Sequence, residues 1–348
     1  MLFLIVQFGG LLLASTVFST AQITLVSTGT ASSTGSLSEV LYYFGFILLS
    51  AVLLLILIKR YNGDILFTLL EGFMVIVTGF FFFLLLLSYI FPNAPATPLS
   101  AASLLLPLAL LYAKRKRPSL TNFVVIISSI GFGVVLGITF LSAGFGFVGA
   151  FLLMALIAAY DYIAVFITKH MITFAKALSS RNLAFLITAS DVEVAPRSVA
   201  MKNDSGYKAH LQEIKKLNNP LINKIIKDGD FPIISQVALG AGDLGLPLMV
   251  AVAAYTLFLN YFLSVAVIIG GAVGLIVTMA MLKKYQRALP AIPPLFTFIS
   301  IAIGIALLFT PQSDIFSSLA FVGIGVAVLA IMIITLNNGE QKIGRKQS

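Results

Sequence analysis

The chain contains no cysteine and no tryptophan, and only two histidines, His170 and His210. Without cysteine there is no disulfide, no thiolate metal site and no cysteine nucleophile. Both histidines lie in one polar stretch, so neither a histidine zinc site nor a serine-histidine dyad can be assembled within the apolar segments. No nucleotide or flavin signature occurs, and neither a metal nor an organic cofactor is expected. Charge is scarce too: 10% of the 348 residues are Asp, Glu, Lys or Arg, against about a quarter in soluble domains.

What is present is apolar. Hydrophobic residues make up 59% of the chain and mean hydropathy is +1.05, which describes a polytopic membrane protein. A net charge of +9 would suggest nucleic acid in a soluble protein. Here the basic residues form short clusters between apolar runs, which is the footprint of membrane topology, and no nucleic-acid partner is expected.

Runs of about twenty apolar residues cross the hydrocarbon core as helices. Ten such runs occur, at 2–26, 39–58, 65–91, 99–113, 119–142, 145–168, 232–257, 259–282, 288–310 and 315–336. They predict an all-α transmembrane bundle of nine to ten helices. Basic connections (Lys59-Arg60, Lys114 to Arg117, 169–231, Lys283-Lys284 with Arg287, and the tail with Lys342, Arg345 and Lys346) alternate with connections that lack Lys and Arg. That alternation predicts cytoplasmic termini and a cytoplasmic 169–231 loop in a cell membrane. Within this loop, Lys169 to Ser180 has the spacing of an interfacial amphipathic helix and Leu183 to Thr188 that of a short strand. The organisation is then N-terminal helices over 1–142, a helix over 145–168, the loop, helices over 232–310, and a further helix over 315–336. Nothing in the sequence specifies an oligomeric state.

An ionisable side chain at membrane depth is costly and is by default a functional site. Of thirteen acidic residues, only Glu71, Asp161 and Asp243 fall inside apolar runs and not at their ends, in short connections or in the polar loop. Counting helical rise from the basic connections puts Glu71 about 9 Å, Asp161 about 10 Å and Asp243 about 16 Å from the cytoplasmic surface. The two aspartates, on consecutive antiparallel helices, can therefore face one another. Two carboxylates facing each other in an apolar setting share one proton, so one can activate water while the other polarises a carbonyl. That is aspartyl protease chemistry. Glu71 reads as a packed or snorkelling residue.

Asp243 lies in Leu239-Gly240-Ala241-Gly242-Asp243. Gly240 and Gly242 let a substrate backbone or an opposing helix approach the carboxylate, although Gly240 with Gly245 would equally serve helix packing. Pro290, Pro293 and Pro294 leave irregular backbone at the start of the ninth run, tolerated there only if buried in protein or lining a wet cavity; a simple helix-entry signal is the plainer account.

Tyr160-Asp161, Gly240-Ala241-Gly242-Asp243 and Pro290-Ala291-Ile292, in that order, resemble the YD, GxGD and PAL signatures of the presenilin and signal peptide peptidase family of intramembrane aspartyl proteases. Thr168 to Thr173 looks like the archaeal presenilin homologues, so the resemblance implies a prokaryotic, archaeal cell membrane. It also implies that Asp161 and Asp243 are the catalytic pair. Tyr160, Leu239, Gly240 and Gly242 would shape the site, and Pro290, Ala291 and Ile292 would hold substrate near it. The basic loop favours the presenilin-like orientation, and the partners implied are transmembrane-helix protein substrates within the lipid bilayer, with their N-termini outside. An unwound substrate would find new backbone partners by strand addition near Leu183 to Thr188 or Pro232 to Val237. Ile292 stands where the family has Leu. The family usually has nine helices and ends with the PAL-bearing one, so 315–336 is either an addition or a sign that one crossing is miscounted. Two readings compete: a proton- or ion-coupled secondary transporter using the same buried acids, and a prepilin-peptidase-type enzyme, whose other aspartate lies nearer the cytoplasmic surface.

Overall fold

The structure, a computed structural model, describes residues 1–28, 64–142, 146–167, 186–196, 230–258, 261–285, 289–310 and 315–347, with helical positions at 41, 42, 44–46, 48–50, 52, 53 and 56. The chain forms two compact units, Met1–Phe185 with Gly240–Ser348, and Leu186–Leu239. The stretch Lys169 to Ser180 lies outside the described residues, as does Leu183 to Phe185.

The larger unit is helical: α1 (Leu2–Thr28), α2 (Asp64–Ile90), α3 (Ala96–Lys116), α4 (Thr121–Ser142), α5 (Gly146–Tyr162), α6 (Ala241–Phe258), α7 (Tyr261–Tyr285), α8 (Ile292–Leu308) and α9 (Ile315–Gln347). Among the described residues, six helices are long and apolar enough to cross a membrane, and the apolar parts of α1, α6 and α8 are shorter. The protein is an integral membrane helical bundle, as the hydropathy predicts. In the smaller unit, β1 (Leu186–Pro196) pairs with β2 (Asp230–Gly240) in a two-stranded sheet.

One expected crossing is corrected. Residues 232–257 do not form one helix: extended backbone runs to Gly240 and helix begins at Ala241. Pro232 withholds a donor, Ile233, Ile234 and Val237 favour a strand, and the glycines at 240 and 242 disfavour helix upstream of Asp243. Asp243 is therefore in the first turn of α6 and not eleven residues into a helix, so its depth cannot be counted from helical rise.

α6 is the central pillar. Every residue from Leu244 to Ala254 is buried, as expected of a helix that is apolar all round. It packs on α1, α4, α5 and α7. Around it, α2 packs on α3 and α4, α7 on α8, and α8 on α9. The α7–α8 approach depends on Gly274, where a Cβ would come within 2.7 Å of Leu295 Cα. The α8–α9 approach depends on Gly304 and Gly325, each facing a carbonyl of the other helix, and on Ser300 Oγ donating to Phe321 O at 2.6 Å. Small residues that let backbones meet are the usual basis of helix association in lipid.

Glu71 and Lys114 are both buried and form an ion pair between α2 and α3. Glu71 is thus packed, as its sequence setting suggested. Lys114, grouped by sequence with the surface cluster that ends at Arg117, instead turns inward to meet it.

Candidate active site

Asp161 occupies the penultimate position of α5, immediately before a π-helical turn at Ile163–Ile167. Such wide turns recur at functional positions, because the extra residue rotates side chains off the regular helical register. The Asp161 side chain is buried. Its Oδ2 accepts a hydrogen bond of 3.2 Å from the Ile292 N–H at the first residue of α8, and the Ala291 N–H also turns toward this carboxylate.

The proline cluster explains why these two donors meet an acid. Pro290, Pro293 and Pro294 carry no N–H, so between Pro290 and Pro294 only Ala291 and Ile292 can donate. Both serve Asp161, at the positive end of the α8 dipole, where a carboxylate is welcome. The Pro-Ala-Ile segment acts on Asp161 through its backbone, to which a Leu-to-Ile exchange is indifferent. Pro290 itself is buried and lines a narrow apolar cleft with Phe166, Leu289, Pro294 and Met332.

Asp243 is held differently. Gly240 precedes the first helical residue, and its N–H donates to Asp243 Oδ2 at 3.0 Å. This is the backward half of a capping box, with the third helical residue satisfying the cap N–H. A Cβ at Gly240 would stand 3.1 Å from the same oxygen, tighter than an ordinary contact, so what a side chain there would press on is the carboxylate and not a neighbouring helix. Gly245 carries the packing role, against Phe132 and Ser129 of α4. At Gly242 a Cβ would meet nothing within 4 Å and the residue is exposed, so the backbone beside Asp243 is open. Leu239 and Asp243 are both half-buried.

The packing of α5 on α6 brings Asp161 within electrostatic reach of Asp243. Tyr160, half-buried, lies next to Asp161 in the chain. Tyr162 is tied outward, its hydroxyl donating to Thr335 Oγ1 on α9, which in turn donates to Ile331 O at 2.8 Å. Among the described residues no group of three or more His, Cys, Asp or Glu side chains could hold a metal ion. Two contacts near these carboxylates escaped sequence reasoning. The first is the donor role of the Ala291 and Ile292 amides, which the spacing of prolines could have disclosed. The second is Gln7 of α1, whose Nε2 donates to Leu244 O at 2.8 Å; its signal was that it is the only polar side chain in residues 1–14.

The model of the family described as signal-peptide peptidase, presenilin aspartyl protease matches residues 1–312. A solved structure of a presenilin family intramembrane aspartate protease, in space group C222, is similar over 89% of this chain and 98% of its own, with 18% identity and a TM-score of 0.54. A second, in space group P2, is 19% identical over 86% of this chain and 96% of its own, with a TM-score of 0.47. Comparison with curated proteins gave no match. The matched region ends before α9, which is an addition to it. The choice between a carrier and a protease is thereby answered: this chain belongs to the signal-peptide peptidase and presenilin family, and is an intramembrane aspartic endopeptidase.

Proposed function

We propose that Asp161 and Asp243 are the catalytic pair, and that the protein uses them to hydrolyse peptide bonds within transmembrane helices of other membrane proteins. The observation that carries this reading is the fixing of each carboxylate by a backbone N–H through Oδ2. That arrangement leaves Oδ1 of Asp243, and the lone pairs of Asp161 that the two amides do not occupy, for water and for the scissile carbonyl. In this mechanism one aspartate takes a proton from the attacking water while the other, protonated, donates to the carbonyl oxygen as the tetrahedral intermediate forms. Proton positions then reverse as the amine leaves.

Water and substrate must both reach this pair. The open backbone at Gly242 supports approach from that side. A scissile carbonyl is hidden in its own helix until the helix unwinds, and the freed groups need new partners in a site without bulk water. Each strand of a two-stranded sheet keeps one edge able to accept an extended peptide, and β2 contains the Pro232 to Val237 segment suited to this. The basic 169–231 loop supports a cytoplasmic position for that loop and for the termini, hence substrates whose N-termini lie outside.

The test is cleavage of a single-pass substrate by the purified full chain in liposomes, comparing the wild type with Asp161→Asn and Asp243→Asn. Each substitution should lower the rate by on the order of 10³-fold or more while insertion and melting are retained. Cleavage that persists in either variant overturns the dyad, and a reporter within 200–210 that reads extracytoplasmic overturns the orientation.

A further inference from the structure

We propose that Gln7 is a positioning residue for Asp243, holding the first turn of α6 in the rotation that aims the carboxylate at Asp161. This rests on the dyad reading above.

Gln7 is fully buried and is the only polar side chain in the first fourteen residues. Its amide orientation is forced, because the Leu244 carbonyl can only accept and so must face the NH₂ group. Its Oε1 then has no partner among the described residues. A buried amide satisfied on one side only is worse for stability than an apolar side chain of the same length, such as Met. Stability therefore does not account for Gln7.

The place where it acts does. Leu244 directly follows Asp243 in the first turn of α6, and Pro247 sits one turn later. Proline at 247 supplies no N–H to the Asp243 carbonyl, which would otherwise receive the four-residue helical bond, and its ring crowds that carbonyl. The turn that carries Asp243 is consequently held by fewer bonds of its own than an interior turn. Gln7 restrains the next carbonyl from a different helix. The approach that makes this possible comes from Gly10, one turn along α1, where any Cβ would collide with the Leu248 side chain. One turn of α1 thus matches one turn of α6, with a hydrogen bond at its first contact and a close fit at its second. On the chain side Asp243 is held by the Gly240 N–H. The Gln7 bond supplies the restraint across the helix axis that a loosened first turn lacks.

The test uses the full chain, a single-pass substrate in liposomes, and four proteins: wild type, Gln7→Met, Gln7→Met with Pro247→Ala, and Asp243→Asn. Q7M should melt no lower than the wild type, yet kcat should fall about tenfold with KM within about twofold, the effect of one lost buried hydrogen bond felt in the transition state. Alanine at 247 returns an N–H to the Asp243 carbonyl, so the double variant should recover kcat to within about threefold of the wild type. A Q7M protein with wild-type kcat overturns the proposal, as does one that fails to fold, melts lower or loses only KM, or a double variant no faster than Q7M. Activity retained in D243N instead overturns the dyad reading, whereas an inactive D243N beside an unimpaired Q7M overturns only the role of Gln7.

Discussion

The two aspartates reach similar ends by opposite means. Asp161 is buried at the end of a helix and is held by backbone from α8, 131 residues away in sequence. Asp243 is half-buried at the start of a helix and is held by its own chain, three residues back. The first restraint depends on the tertiary packing of α5 against α8, the second on a local cap. Asp243 should therefore keep its carboxylate bond through distortions of the bundle that separate α8 from α5, while Asp161 should not. Assembly of the pair is in this sense a report on the α5–α8 contact.

That contrast can be broken one side at a time. The largest effect below removal of the acids is expected at Ile292. Ile292→Pro deletes one of the two donors to Asp161 and should lower kcat by on the order of 10²-fold, the order of a lost charge-assisted bond, while Ile292→Leu should stay within about threefold. Equal losses in steady-state cleavage by the two variants would show that the side chain and not the amide matters.

A smaller effect is expected on the other carboxylate. Gly240→Ala places a methyl 3.1 Å from Asp243 Oδ2, whereas Gly242→Ala meets nothing within 4 Å. With G240A the rate should drop about tenfold and with G242A by less, measured on a short, easily unwound substrate. A larger loss in G242A would mean that substrate backbone passes closer there than the open space suggests.

The smallest effect on chemistry should come from the buried pair of Glu71 and Lys114, which sharpens the comparison by separating packing from catalysis. Glu71→Gln or Lys114→Met alone should cost about 3–5 kcal/mol of stability by stranding a buried charge, and Glu71→Leu with Lys114→Met should recover most of it. Turnover per folded molecule, read beside thermal melting, should not change in any of them. A change in turnover would make Glu71 part of the reaction.

The sequence made Asp243 easy to find, because a capping carboxylate beside glycines is local information. The same locality made the ten apolar runs and the order of the three motifs legible. What it hid was non-local. The partner of Asp161 is an amide, which has no residue identity to read, and only the arithmetic of missing proline donors points to it. Lys114 sits in a run with Lys116 and Arg117 whose composition says surface, yet its direction is set by Glu71 on another helix. The helix expected over 232–257 failed for a different reason: hydropathy is blind to backbone shape, and the apolar residues of β2 suit a strand as well as a membrane helix.

The added helix α9 has a consequence for the surroundings of the site. In a bilayer, helix faces not covered by protein are covered by acyl chains, and a rise in acyl order or thickness presses directly on them. Here α8 is flanked by α7 on one side and α9 on another, with Phe321 of α9 against Phe151 of α5 at a ring separation of 4.8 Å. The element whose amides steady Asp161 is thus solvated largely by the chain itself. A membrane that stiffens or thins acts on α9 before it acts on α8, so this enzyme carries its own annular layer on that flank, made of protein where lipid would otherwise lie.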